Sequence, residues 1–287
     1  MLSIRHILFP VDFSDRCHTA IPFVVAKARD FGAKVTMLAV VRPVVLTGME
    51  AASATFVDPE ELRFAVQGRL DEFATEAFAG IEVERIAVVG DPADAVVEFA
   101  KNHAVDLVMM PTHGYGPFRR LLLGSVTAKV LHDVGCPVWT DAHIEDTATH
   151  YHLKPRAILC AVDDSPRAVE VMKWAGELAK HQGAKLHLVH TVPGTGTFLE
   201  AELGVEVELA MRERLEKKLD DMRRAAGVEA TIHVAAGDIA DRVRAEAERF
   251  NADLLVIGRG VLHETLGRLR THAHSIIRHA PCPVISI

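Results

Sequence analysis

The sequence predicts two α/β domains in tandem, each a five-stranded parallel sheet with helices on both faces. Short apolar runs alternate with amphipathic helical stretches, the arrangement of a parallel sheet covered on both sides. The pattern occurs twice, its landmarks repeating at an offset of about 146 to 151 residues. A length of 287 residues suits roughly two domains.

The first copy opens with the apolar run His6 to Val11 and the second with Ala157 to Val162, each ending in Val-Asp-x-Ser, at Ser14 and Ser165. Both serines are expected as helix N-caps, with Pro166 at a first helical position. The next helix carries Cys17, Ala20, Ile21, Val24, Val25, Ala28 and Phe31 at helical spacing in copy one, and Val171, Met172, Ala175, Leu178 and Ala179 in copy two. Gly32 and Gly183 end these helices, and strands Val35 to Val41 and Leu186 to Val192 follow.

Asp58-Pro59-Glu60-Glu61 supplies a cap, a first-turn proline and an acidic turn to a helix with stripe Leu62, Ala65, Val66, Leu70, Phe73 and Ala77. In copy two a highly charged helix spans about Leu199 to Ala226. A third strand, Val83 to Val89 or Ala230 to Ala235, leads into Gly90-Asp91-Pro92-Ala93 or Gly237-Asp238-Ile239-Ala240. Another helix precedes Val105-Asp106-Leu107 or Ala252-Asp253-Leu254, and the copies close on Cys136-Pro137-Val138 and Cys282-Pro283-Val284. The expected boundaries are 1–141 and 156–287, with the polar, His- and Thr-rich stretch 142–155 as linker.

One stretch of copy one carries chemistry. The apolar run Asp106 to Met110 leads into Pro111-Thr112-His113-Gly114-Tyr115-Gly116, and Gly124-Ser125-Val126-Thr127 starts a helical pattern. Glycine permits close backbone approach. A helix N-terminus offers unpaired N–H groups and partial positive charge. Together they suit an anion, most naturally phosphate, although a tight strand-to-helix connection has the same appearance. Val11-Asp12 lies at a strand end, where ligands of such sheets bind.

Composition excludes several classes. The net charge of −7 does not suit a duplex nucleic-acid binder. No apolar run reaches the roughly 18 residues of a membrane span, and the N-terminus has no signal-peptide layout, so a cytoplasmic protein is expected. Cys17, Cys136, Cys160 and Cys282 are scattered and read as reduced structural thiols. No complete P-loop, dinucleotide fingerprint or nucleophile elbow occurs. His272 and His274 do not share a helix face, and no metal site is expected.

These residues resemble the universal stress protein family over essentially the whole chain. Its ATP-binding members carry Gly-x2-Gly-x9-Gly-Ser/Thr after the fourth strand, and copy one has Pro111-x2-Gly114-x9-Gly124-Ser125, followed by Val126 and Thr127. The Val-Asp-x-Ser opening, the Gly-Asp-Pro-Ala turn and the Cys-Pro-Val ending also match. The resemblance implies Rossmann-like domains of the adenine nucleotide alpha hydrolase type and ATP accompanied by Mg2+. By the same resemblance Asp12 lies beside the adenosine and Val40 offers backbone to the adenine, while Gly114, Gly124, Ser125, Val126 and Thr127 hold ribose and phosphates, with Pro10, Val11, Pro111 and His113 around them. Pro111 keeps a carbonyl but donates no N–H.

Copy two departs further. It reads Gly258-Arg259-Gly260-Val261 and then Arg270-Thr271, with a bulky residue at the helix entry, so its site is expected to be vacant. Asp12 also reads as a plain turn residue, and Arg119 and Arg120 as either phosphate-facing or ordinary exposed charge. The apolar closing strands, 138–140 and 284–287, would form a sticky sheet edge. By resemblance they pair as an internal pseudo-dimer, and a further homodimer remains open. The implied function is an ATP-binding stress-response sensor or regulator with an unknown protein partner and no catalytic residues, at most hydrolysing ATP slowly. The alternatives are a scaffold that has lost nucleotide, or a binder of AMP or a cyclic nucleotide.

Overall fold

The computed structural model describes residues 2–43, 58–112, 123–141, 153–163, 165–192, 196–259 and 270–287. Its contacts group the chain into two units, Ser3–Val138 and Trp139–Ile287 together with the N-terminal residues. No helix among the described residues is long and apolar enough to cross a membrane.

In the first unit the order is β1 (His6–Val11), α1 (Asp15–Phe31), β2 (Lys34–Val41), α2 (Pro59–Glu72), β3 (Val83–Val89), α3 (Pro92–Asn102), β4 (Leu107–Met110) and α4 (Ser125–Asp133), with β5 (Val138–Thr140) beginning at its boundary. The strands lie in the order β3-β2-β1-β4-β5. The pairs β1–β2, β1–β4 and β2–β3 are parallel. Burial explains the continuous apolar runs: Ile7, Leu8, Phe9 and Val35 are fully inaccessible, because helices cover both faces.

The second unit repeats the plan with β6 (Ala157–Val162), α5 (Ala168–Gln182), β7 (Lys185–Val192), α6 (Gly196–Ala226), β8 (Thr231–Ala236), α7 (Ile239–Arg249), β9 (Leu254–Ile257), α8 (Arg270–His279) and β10 (Val284–Ser286). Its order is β10-β9-β6-β7-β8, all parallel.

Matching local bonds build both units. Asp91 Oδ1 accepts from the N–H groups of Ala93 and Asp94, and Asp238 Oδ1 from those of Ala240 and Asp241, capping α3 and α7. Asp106 Oδ2 accepts from the N–H groups of Arg5 (2.8 Å) and His6 (3.0 Å), and Asp253 Oδ2 from those of Arg156 (2.7 Å) and Ala157 (3.1 Å). Each ties the entry of β4 or β9 to that of the sheet's first strand. Gly32 (φ 62°) and Gly183 (φ 68°) end α1 and α5 in the left-handed conformation that glycine adopts freely.

Two local expectations need correction. Ser14 caps α1 through the N–H of Cys17, but Ser165 does not cap α5. Residues 165–167 form a separate turn, with Ala168 N–H on the Ser165 carbonyl at 3.1 Å, so the helix begins at Ala168 and Pro166 lies before it. The stripe drawn through Phe73 and Ala77 also overruns. The α2 helix stops at Glu72 because Phe73 is extended and Ala74 turns left-handed at φ 53°. Leu70 and Phe73 are buried nonetheless, whereas Ala65 and Ala77 face solvent.

None of the four cysteines is in a disulfide, and burial pushes the Cys160 thiol up to about 12. Such a thiol is unreactive, as a structural role requires. Asp106→Ala leaves two strand-entry N–H groups without their charged acceptor. It should lower the stability of the first unit by about 2 kcal/mol, read as a shift of its urea midpoint at constant slope.

Candidate functional site

In the first unit the chain runs from β1 to β2 on one side and later enters β4 on the other. The crevice at the C-terminal ends of β1 and β4 is therefore the switch point. A cleft of about 490 Å3 opens there, within the range of small-molecule sites. Pro10 to Phe13 form its floor with the β2 end, Leu38 to Arg42. Met110 and Pro111 come from the end of β4, and Gly124 to Thr127 from the start of α4. Leu62 and Val66 of α2 with Pro92 and Val96 of α3 give apolar walls.

Nine of the expected residues line this cleft: Pro10, Val11, Asp12, Val40, Pro111, Gly124, Ser125, Val126 and Thr127. His113 and Gly114 lie outside the described residues, as do Arg119 and Arg120.

The backbone of Val40 is presented by strand alternation. Gly90 N–H donates to the Val41 carbonyl at 2.9 Å, so Val41 faces β3 and Val40 faces the β1 side. The β1 register ends with Val11 opposite Ala39. The register stops short of Val40, which lines the cleft.

Asp12 sets a turn and also lines the cleft. Its Oδ1 accepts from the Ser14 N–H (3.0 Å) and hydroxyl (2.6 Å), which sets the turn into α1. Its Oδ2 takes no bond among the described residues, and the residue lines the cleft. Phe13 makes this corner possible by adopting φ 58°, a strained conformation for a bulky side chain. Its ring is held edge-on by Phe73 at 5.4 Å and covered by the Arg69 guanidinium at 4.1 Å.

At the opposite end, α4 begins without an acidic residue in its first turn and, among the described residues, without a side-chain cap, an arrangement that suits an anion. Gly124 has φ −57°, a value that any residue adopts. Thr127 is buried, and its hydroxyl donates to the Pro111 carbonyl at 3.1 Å. Gly124 N–H donates to the Thr112 carbonyl at 3.0 Å. These two bonds clasp the ends of the loop. The Pro111 carbonyl and the Thr127 hydroxyl are thus used in shaping the cleft.

Charge at the rim is arranged between α3 and α4. The N–H groups of Asp94 and Ala93, with Lys129 and Arg42 nearby, hold the Asp91 carboxyl below its ordinary range. Lys129, one turn into α4, pairs with Asp94 and lies 3.9 Å from Asp91. Among the described lining residues Asp12 and Arg42 carry charge. Sequence reasoning missed Arg42, Phe13 and the walls Leu62, Val66, Pro92 and Val96. The strand end and the helical stripe marked their positions, but not which face they present.

In the second unit the corresponding positions are differently used. Arg259 N–H donates to the Ile287 carbonyl at 2.9 Å, so the start of that loop is bound to the chain end. A side chain at Gly258 would sit 3.3 Å from Val171 Cγ2, so this glycine serves close packing of β9 on α5. Thr191 stands in the place of Val40, its buried hydroxyl without a partner among the described residues, and His190 Nδ1 donates to the Val162 carbonyl at 2.9 Å. The α8 helix starts at Arg270 itself, where α4 has Gly124 before it.

Comparison with known proteins follows the same division. The model of the universal stress protein family matches residues 3–140 and again 155–287. Universal stress protein MJ0531 of Methanocaldococcus jannaschii is 31% identical over 135 residues, 47% of this chain and 79% of that protein. Universal stress protein A homolog 1 of Coxiella burnetii is 28% identical over 135 residues, 45% of this chain and 94% of its own length. A universal stress protein from Archaeoglobus fulgidus aligns over 99% of this chain and 96% of its own at a TM-score of 0.71 and 21% identity, a likeness of fold. The chain belongs to the universal stress protein family, as two family domains in tandem.

Proposed function

We propose that the first domain binds an adenine nucleotide, ATP with Mg2+, and that the chain works as a cytoplasmic stress-response sensor or regulator. The observation that carries this reading is the convergence, in one cleft, of the Val40 backbone, the Asp12 carboxylate and the N-terminus of α4. The apolar walls suit a purine. The α4 N–H groups and the Ser125 hydroxyl suit phosphates. Mg2+ fits a site with a single lining carboxylate, since it binds largely through phosphates and water. Turnover is slow: the described lining offers no histidine or lysine, and its one carboxylate holds the Ser14 turn.

The second domain takes no nucleotide in this proposal, because its last helix starts at Arg270, where the first domain has Gly124 before Ser125. Residues 142–155 act as the linker. The scaffold reading has one observation in its favour, the use of Pro111 and Thr127 within the protein.

Calorimetry or thermal shift with Mg-ATP separates the readings. At a hundredfold excess over its dissociation constant, a bound ligand stabilises the native protein by about 2.7 kcal/mol. Wild type should show this gain and Gly124→Arg should lose it, whereas a flat wild-type response favours the scaffold. Thr127→Val breaks the clasp and leaves the Pro111 carbonyl unpaired. It should lower stability by about 1 to 2 kcal/mol and weaken nucleotide binding, while Thr127→Ser retains both. Equal binding by the valine and serine variants would remove the clasp from the account.

A further inference from the structure

The opposite ends of the two sheets, away from the cleft, carry imidazoles that the nucleotide site does not use. In the first domain His6 is buried, with Nδ1 on the His103 carbonyl at 3.0 Å and Nε2 on the Thr36 hydroxyl at 2.8 Å. The Thr36 hydroxyl reaches Glu84 at 3.2 Å. When His6 is charged, Nε2–H donates to Thr36 and Thr36 donates to the Glu84 carboxylate. Every proton then has an acceptor.

The same place in the second domain is wired differently. In the register, Thr36 pairs with Glu84 and His187 pairs with Thr231, so the carboxylate position is held by a hydroxyl. That hydroxyl serves two imidazoles, His187 Nδ1 at 2.7 Å and His233 Nε2 at 3.1 Å. With both rings neutral, one accepts the Thr231 proton and the other donates its own. Phe250, at the end of α7, stacks on His187 at 4.2 Å and lies 4.4 Å from His233.

We propose that this base is an acid-sensitive latch: protonation of the His187–His233 pair loosens the C-terminal end of α7 from β7 and β8. Burial foremost, then the His233 ring and Lys185, hold His187 below its ordinary range. Burial likewise leads for His233, where Glu246 of α7 favours the charged ring and Arg249 opposes it. Glu246 is itself paired with Arg249 at 3.3 Å. The Phe250 face and the end of α7 favour one imidazolium, but the two rings share them and repel each other when both are charged.

The sign follows from linkage. Both folded-state values lie below the unfolded one near 6.5, so the stabilisation is complete above about pH 6.5 and is lost as pH falls below it. Hydrogen exchange on the full chain, corrected for intrinsic rates, reads this directly. From about pH 7.5 to about pH 5.5, protection in β7, β8 and α7 should fall by roughly tenfold or more, and this loss, unlike any in β1 to β3, where burial holds the His6 imidazole below its ordinary range, should depend on His187 and His233. The His187→Asn/His233→Gln double variant should flatten the loss, and His181→Gln, on the exposed side of α5, should not. Should the double variant fail to fold, an imidazole NMR titration of the wild type decides: titration of both rings below 6.5 supports the latch. Titration of both at or above 6.5, or pH-independent protection, overturns it.

Discussion

A parallel sheet covered on both faces leaves its backbone open only at the strand ends, and in the first domain the chain's exit from β1 determines what those ends can hold. Asp12 is the pivot. One carboxylate oxygen gathers the Ser14 N–H and hydroxyl, and Phe13 takes a left-handed turn that few bulky residues tolerate. The turn stops β1 at Val11 and starts α1 at Asp15. It also ends the register with β2 at Ala39, short of Val40. Packing of Phe13 against Phe73 and Arg69 supports the strain, so the end of α2 takes part in shaping a cleft its sequence never advertised.

The far side of the cleft depends on the clasp between Pro111 and Thr127 and between Thr112 and Gly124. This changes the reading of the Gly→Pro replacement at position 111. The position contributes a carbonyl to the frame, and proline supplies a carbonyl as well as glycine does. The missing N–H matters only where a ligand would have needed it. Thr127, expected among the phosphate ligands, spends its hydroxyl on the frame.

Much of this was legible in the residues. Alternating apolar runs and stripes announced both sheets, because covered strands read as continuous hydrophobics, and the turns at Gly90-Asp91 and Gly237-Asp238 announced the helices that Asp91 and Asp238 cap. Helix ends were less legible where they depend on one backbone angle, as at Ala74, or on a turn that mimics a cap, as at Ser165. Site residues at strand ends could be located by the switch-point rule. The walls Leu62 and Val66 could not, because their stripe does not tell which helix face meets the cleft and which meets the core. The register that sets Thr231 between two histidines needs the sheet itself: these residues lie 44 and 2 positions apart in sequence.

The central claim is an asymmetry between two copies of one frame. Their caps at α3 and α7, strand entries and sheet order agree, while the second lacks the glycine before its last helix. Counting nucleotides on the intact chain by native mass spectrometry, with Mg-ATP in excess, tests this most directly. The account predicts one per chain; two per chain, or none, would contradict it.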